Sequence, residues 1–217
     1  IQNLKDLEFI SIYYMKITDE IINILTDLIN LKTLRLYNGD LADYQLMRLK
    51  NLKELIIKDN DNITDQSIKE LINLEKLKIT YNNTITDIGI KDLINLKYLE
   101  LRYNRNISDI GIKNLKNLQH LHFQSNEIIT DRGIKGLKKL KYLNMKENRL
   151  LTDRSIKKLK ELEYLDLTLN ENITDKGIKD LKKLKHLDLQ SNKNITDEGI
   201  KGLSELEYLN LPNDENI

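Results

Sequence analysis

Leu96 to Asn117 reads LKYLELRYNRNISDIGIKNLKN, and the stretches on either side repeat it. From Leu74 the preceding stretch of equal length reads LEKLKITYNNTITDIGIKDLIN, and from Leu184 the same frame returns as LKHLDLQSNKNITDEGIKGLSE. Openings fall at Leu4, Leu31, Leu52, Leu74, Leu96, Leu118, Leu140, Leu162, Leu184 and Leu206. The first two intervals are 27 and 21, and the next seven are all 22. A fixed period of this length marks a solenoid, whose units bury their apolar faces against one another. The whole chain, 1–217, is therefore expected to form a single array of about ten units.

One unit can be read from its opening leucine. Positions 1, 4 and 6 are apolar, as in Leu162, Leu165 and Leu167. The alternation at 4 and 6 predicts a short strand with those side chains inward. Position 9 is asparagine in every unit from Asn60 to Asn192. A polar residue repeated in an apolar frame needs partners, so a stacked asparagine ladder is expected where the chain leaves the strand. An Ile or Leu follows at position 12, then Thr-Asp or Ser-Asp, as in Thr86-Asp87 and Ser108-Asp109. Those residues predict a helix start. Apolar residues three apart, as in Ile90 and Leu93, predict the inward face of about two helical turns. Position 16 is Gly in most units but Ser at Ser67 and Ser155. The shared property is small size, which predicts close packing rather than a positive φ. Strand, asparagine turn and capped helix close one coil. Stacking such coils about 4.8 Å apart predicts an α/β solenoid. Its parallel sheet lines a concave face and its short helices lie on the convex side.

The pattern LxxLxLxxNxxITDxGIKxLxx resembles the leucine-rich repeat, and the ITDxGI half is similar to F-box and ribonuclease-inhibitor-like leucine-rich repeats. The resemblance covers essentially the whole chain. It implies a curved horseshoe that binds other proteins through its concave face. Two features depart from the subtype: asparagine stands where cysteine is usual, and the repeat is shorter than the subtype's common unit. The role of substrate-recognition module in a larger ubiquitin-ligase-like protein follows only by analogy.

Positions 3, 5, 7 and 8 are least constrained by the core and are expected to carry recognition. At position 3 the last six units read Tyr98, His120, Tyr142, Tyr164, His186 and Tyr208, an unbroken aromatic stripe. Tyrosine offers rigid area and a hydroxyl, which suits protein interfaces. Cross-strand stacking for sheet stability is the competing explanation. Tyr81 and Tyr103 add rings at position 8. Position 5 reads Glu100, His122, Asn144, Asp166, Asp188 and Asn210, with Arg102, Gln124, Lys146 and Gln190 beside it. Rings beside acids suit a polar protein partner carrying some Lys or Arg. The expected partner-binding set is Tyr98, His120, Tyr142, Tyr164, His186, Tyr208, Glu100, Arg102, Asp166 and Asp188.

Other chemistry is thinly represented. His120 and His122 share a strand face with Glu100 alongside, a set with zinc-ligand chemistry, but an open surface argues against a metal site. No cysteine, phosphate-cradling glycine loop or enclosed acid pair is visible, so neither catalysis nor a cofactor is expected. Lys+Arg total 35 against Asp+Glu 34, a net charge of +1. That balance gives no global attraction to nucleic acid or anionic membrane. Convex lysines such as Lys138, Lys160 and Lys182 are interspersed with acids and read as a solvated surface. No apolar run reaches membrane-spanning length. Absence of cysteine fits a reducing compartment, so a cytoplasmic location is expected. The apolar first unit, with Ile21, Ile22, Ile24 and Leu25, reads as an amphipathic cap. The chain stops at Ile217, position 12 of a tenth unit, and Pro212 reads as part of the last strand. A structural alternative follows, a self-assembling solenoid stacking through uncapped ends.

Overall fold

The computed structural model describes residues 4–212. Ten parallel strands form one sheet in chain order, each hydrogen-bonded only to its sequence neighbours. Five long strands come first: β1 (Phe9–Tyr13), β2 (Thr33–Tyr37), β3 (Glu54–Lys58), β4 (Lys76–Thr80) and β5 (Tyr98–Arg102). Five shorter ones follow: β6 (His120–His122), β7 (Tyr142–Asn144), β8 (Tyr164–Asp166), β9 (His186–Asp188) and β10 (Tyr208–Asn210). Pro212 therefore lies beyond the last strand, not in it, and Ile217 is outside the described residues. This is the α/β solenoid that the period predicts.

The register corrects one unit boundary. Phe9 pairs with Thr33, so β1 enters the sheet at the position-3 column through Phe9 rather than Asp6. The backbone agrees, since Lys32 N donates to Glu8 O just as Lys53 N donates to Lys32 O. The first unit thus opens at Leu7, not Leu4. Leu7 packs against the core, whereas Leu4 is 48% exposed.

Position by position, the inward frame holds. In the fifth unit Leu96, Leu99, Leu101, Ile107, Ile112 and Leu115 are all fully buried. Burying each such side chain is worth about 1.5–3 kcal/mol. Because each helix contributes to the same core as the strands, no unit has a core of its own.

The helices are shorter than the apolar spacing suggests. From α2 (Asp43–Leu46) and α3 (Asp65–Ile68) through α4 (Asp87–Ile90), α5 (Asp109–Ile112), α6 (Asp131–Ile134), α7 (Asp153–Ile156), α8 (Asp175–Ile178) and α9 (Asp197–Ile200), each is one turn. The second apolar residue is brought inward by i→i−3 turns instead: Leu93 N bonds Ile90 O at 3.0 Å and Leu96 N bonds Leu93 O at 3.0 Å. Such tighter turns return the chain to the sheet within one short repeat. The exception is α1 (Asp19–Asp27), nine residues long, with Ile22 and Leu25 buried beneath it. It lies between β1 and β2, in the unit whose apolar residues read as an amphipathic cap.

Two ladders tie the coils together. The first is the asparagine column, buried from Asn60 to Asn192. Asn126 Nδ2 donates to Asn104 O at 3.2 Å and Ile107 O at 2.9 Å, while its Oδ1 accepts from Ile128 N and Ile129 N. The column is not uniform: Asn170 reaches back to Met145 O at 2.8 Å instead of the preceding ladder carbonyl.

The second ladder is not apparent from one unit alone. From Asp43 to Asp175, each cap aspartate receives the next unit's Thr or Ser. Asp87 Oδ1 accepts from Ser108 N at 2.8 Å, and its Oδ2 from Ser108 Oγ at 2.6 Å. The same two-pronged contact joins Asp109 to Thr130 and Asp153 to Thr174. The cap hydroxyl still serves its own helix, with Ser108 accepting from Ile110 N. Threonine-aspartate is thus both a helix start and an inter-unit clamp.

Candidate functional site

The position-3 column forms one continuous stack of rings. From Tyr98 through His120, Tyr142, Tyr164 and His186 to Tyr208, neighbouring centroids lie 3.9, 3.8, 4.0, 4.2 and 4.1 Å apart, with interplanar angles of 14° or less. Residues at one column of a parallel sheet repeat at the strand spacing, and planar side chains close that gap by leaning into contact. Each inner ring consequently presents an edge to solvent, not a face. Lys76 Nζ caps the Tyr98 end at 4.9 Å from the ring centroid, a cation–π contact. Tyr208 at the far end is 49% exposed.

Position 5 lies deeper than the sequence reading supposes. Glu100 is 1% exposed, and His122, Asn144 and Asp166 are also buried. The ring row on one side and position-7 side chains on the other cover them. Glu100 and Asp166 therefore act through the groups they hold rather than as open contacts, while Asp188 remains half-exposed. Glu100 accepts from the Tyr98 hydroxyl at 2.7 Å and sits 2.9 Å from Lys78 Nζ and 2.6 Å from Arg102 Nε. Burial pushes its carboxyl upward, but Lys78, Tyr98 and Arg102 outweigh that and hold it below the usual range. Burial and the bond to Glu100 raise the Tyr98 hydroxyl.

Further along, neutral donors replace cations. Asp166 accepts from Asn144 Nδ2 at 2.8 Å and from Thr168 N at 2.9 Å. Asp188 accepts from Asn210 Nδ2 at 3.2 and 3.1 Å and from the Thr168 hydroxyl at 3.2 Å. Gln190 projects beside them and is exposed, while Gln124 and Lys146 are half-buried.

The histidines are not arranged as ligands. His120 is sandwiched between Tyr98 and Tyr142, and His122 Nδ1 faces Arg102 NH2 at 3.4 Å. Glu100 is committed to Lys78 and Arg102. Among the described residues, no group of three His, Cys, Asp or Glu side chains is placed to hold a metal. Burial and the neighbouring His122 push His120 down to about 4, and burial and Arg102 push His122 down to about 4. Both are neutral at pH 7.

On the rim, position 8 has a left-handed backbone in unit after unit: Tyr81 at φ 52°, Tyr103 at 53°, Glu147 at 61° and Leu169 at 60°. Glycine or asparagine would have signalled this; only Asn38 does. Tyr81 and Tyr103 stack at 4.6 Å and are 46% and 41% exposed. Among the described residues, no helix is long and apolar enough to cross a membrane.

A leucine-rich-repeat family model matches residues 48–72, 70–94, 93–116, 114–138, 161–182 and 180–204. Among solved structures, the chain is similar to internalin C2 from Listeria monocytogenes str. 4b F2365, at 26% identity and a TM-score of 0.63, over 97% of this chain and 83% of that one. It is also similar to a chain in the octameric complex of latrophilin 3, Unc5D and the leucine-rich-repeat protein FLRT2. There the identity is 22% and the TM-score 0.66, over 98% of this chain and 80% of that one, a likeness of fold. A search of curated proteins returns no match.

Proposed function

The chain belongs to the leucine-rich repeat family, and we propose that it is a non-enzymatic scaffold that binds a protein partner through the concave face of its fifth to tenth units. Leucine-rich repeat proteins generally mediate protein–protein interaction, and stacked repeats present extended concave surfaces suited to it. One observation carries the reading: the six-ring stack from Tyr98 to Tyr208. It holds a row of phenol and imidazole edges rigidly on adjacent strands. Little side-chain entropy remains to be lost there when a partner binds.

The partner-binding residues in this reading are Tyr98, His120, Tyr142, Tyr164, His186 and Tyr208, with Arg102 and Asp188 beside them. Glu100 and Asp166 position their neighbours from beneath. A cysteine-free chain suits a reducing compartment, and the proposed location is the cytoplasm.

The test removes hydroxyls while keeping rings. Tyr142→Phe with Tyr164→Phe preserves the stack and the fold. Partner affinity measured by titration should fall at least tenfold. An unchanged affinity would move the interface away from this face.

A further inference from the structure

Charge on the concave face is divided along the array. In the second to fifth units the outward columns carry Arg35, Lys58, Lys76, Lys78 and Arg102, with the carboxylates Glu54 and Glu100 among them. Each carboxylate is shared by two cations. Glu54 lies 3.2 Å from Arg35 and 3.3 Å from Lys76, and Glu100 lies 2.9 Å from Lys78 and 2.6 Å from Arg102. Lys58 is exposed, with only the rim residue Asp59 near it, at 3.9 Å. Cationic charge is therefore left in excess on this half.

The eighth and ninth units carry the opposite sign. Asp166 and Asp188 are direct partners across β8 and β9. Like charges opposite one another on a sheet repel. Their hydrogen-bond donors, Asn144, Asn210, the Thr168 amide and hydroxyl, and the Gln190 amide, are all neutral. None of the ion pairs found among the described residues includes either carboxylate. Among the described residues, the acids of the first half have cations within reach, whereas this pair does not.

Building on the proposed concave interface, we infer that the bound partner is a bipolar protein segment, acidic where it crosses the second to fifth units and basic where it crosses the half-exposed Asp188, whose charge the buried Asp166 reinforces from beneath. Four to five strand steps of about 4.8 Å separate Lys78 from the aspartate pair, roughly 19–24 Å. The segment's acidic and basic clusters would then be about 6–7 residues apart if extended, or about 13–16 if helical. A nucleic acid fits less well, because its phosphates would meet the aspartates at one end.

The probe is a pair of synthetic peptides of identical composition. One has four Glu and four Lys segregated at opposite ends across a six-residue neutral spacer; the other alternates the charges. Each is titrated against the full chain by fluorescence anisotropy, alongside an oligothymidylate. The segregated peptide should bind at least tenfold more tightly than the alternating one, with the difference shrinking as salt rises. Asp166→Asn with Asp188→Asn keeps hydrogen-bonding side chains at both positions and should abolish the preference. Lys58→Glu, at an exposed position, should weaken the same peptide. Equal binding of the two peptides, binding of neither, or tighter binding of the oligothymidylate would overturn the inference. If the partner itself is still lost on Tyr142→Phe with Tyr164→Phe, the concave interface stands although its bipolar character fails.

Discussion

Gly111 sits where an added Cβ would come within 2.5 Å of Asp87 Oδ1, and its own amide donates to that same oxygen at 2.9 Å. The aspartate cannot swing aside, because Ser108 holds both its oxygens. Gly111→Ala should therefore cost about 1–3 kcal/mol by overpacking. At Gly136 the nearest atom is the mobile end of Lys116, so Gly136→Ala should be neutral or slightly stabilising. Equal melting temperatures for the two variants would contradict the clamp. The two serines at this position find separate solutions: Ser67 Oγ donates to Asp43 Oδ1 at 2.5 Å, whereas Ser155 Oγ turns back to donate to Thr152 O at 2.6 Å.

The asparagine column predicts graded losses. Asn126 makes four hydrogen bonds to backbone groups. Asn148 donates to Asn126 O at 2.6 Å, but its Oδ1 is without a partner. Asn126→Ala should destabilise by about 2–4 kcal/mol and Asn148→Ala by about half that, since buried backbone groups left unpaired carry most of the cost. Denaturant midpoints measure both, and the reverse order would sink the ladder account.

Position 8 offers a stabilising change. Leu169 holds φ at 60°, which disfavours a side chain other than Asn, Asp or Gly. Leu169→Asn should raise stability by about 0.5–1 kcal/mol, while Leu169→Val should lower it, the β-branched side chain fitting this backbone worst. Thermal melts of the two variants should move in opposite directions.

Stability should also fall in mild acid. His120 and His122 are held near 4 in the folded chain against 6.5 ordinarily, so the unfolded chain takes up protons first as pH drops. Their contribution is fully present above pH 6.5 and is lost between about 6.5 and 4. The depressed carboxyls of Asp43 and Glu100 extend the loss below pH 4, through the range where they protonate. Melting temperature should thus decline from pH 7 to pH 4, and replacing both histidines with glutamine should flatten that decline. A flat wild-type profile would contradict the burial assigned to the two rings.

How much of this could be seen in the residues beforehand differs between columns. Apolar positions 1, 4, 6, 12, 17 and 20 were legible because they obey strand and helix periods within one unit. The asparagines were legible because a polar residue confined to an apolar frame demands partners. Contacts made only between units were not. Asp87 reads as a helix cap in its own repeat, and its bond to Ser108 arises only when coils stack. Leu4 and Leu7 are both leucines, three apart, and only the pairing of Phe9 with Thr33 shows that the first unit opens at Leu7. Glu100 and Asp166 belong to an outward column, yet the leaning rings of the adjacent column bury them. The tyrosines themselves prove to be both structural and accessible. Their mutual stacking means that Tyr142→Ala with Tyr164→Ala would remove ring contacts worth about 0.5–1.5 kcal/mol each, so alanine is the wrong probe for recognition.

The most direct measurement is affinity for the purified native partner, captured by wild-type chain and then titrated against two variants of equal melting temperature. One is Tyr142→Phe with Tyr164→Phe on the concave stack; the other is Lys138→Ala with Lys160→Ala on the convex surface, where both lysines are exposed. A concave recognition face predicts a Kd at least tenfold weaker for the first variant and unchanged for the second. Loss confined to the convex variant, or undiminished binding by the concave one, would contradict it.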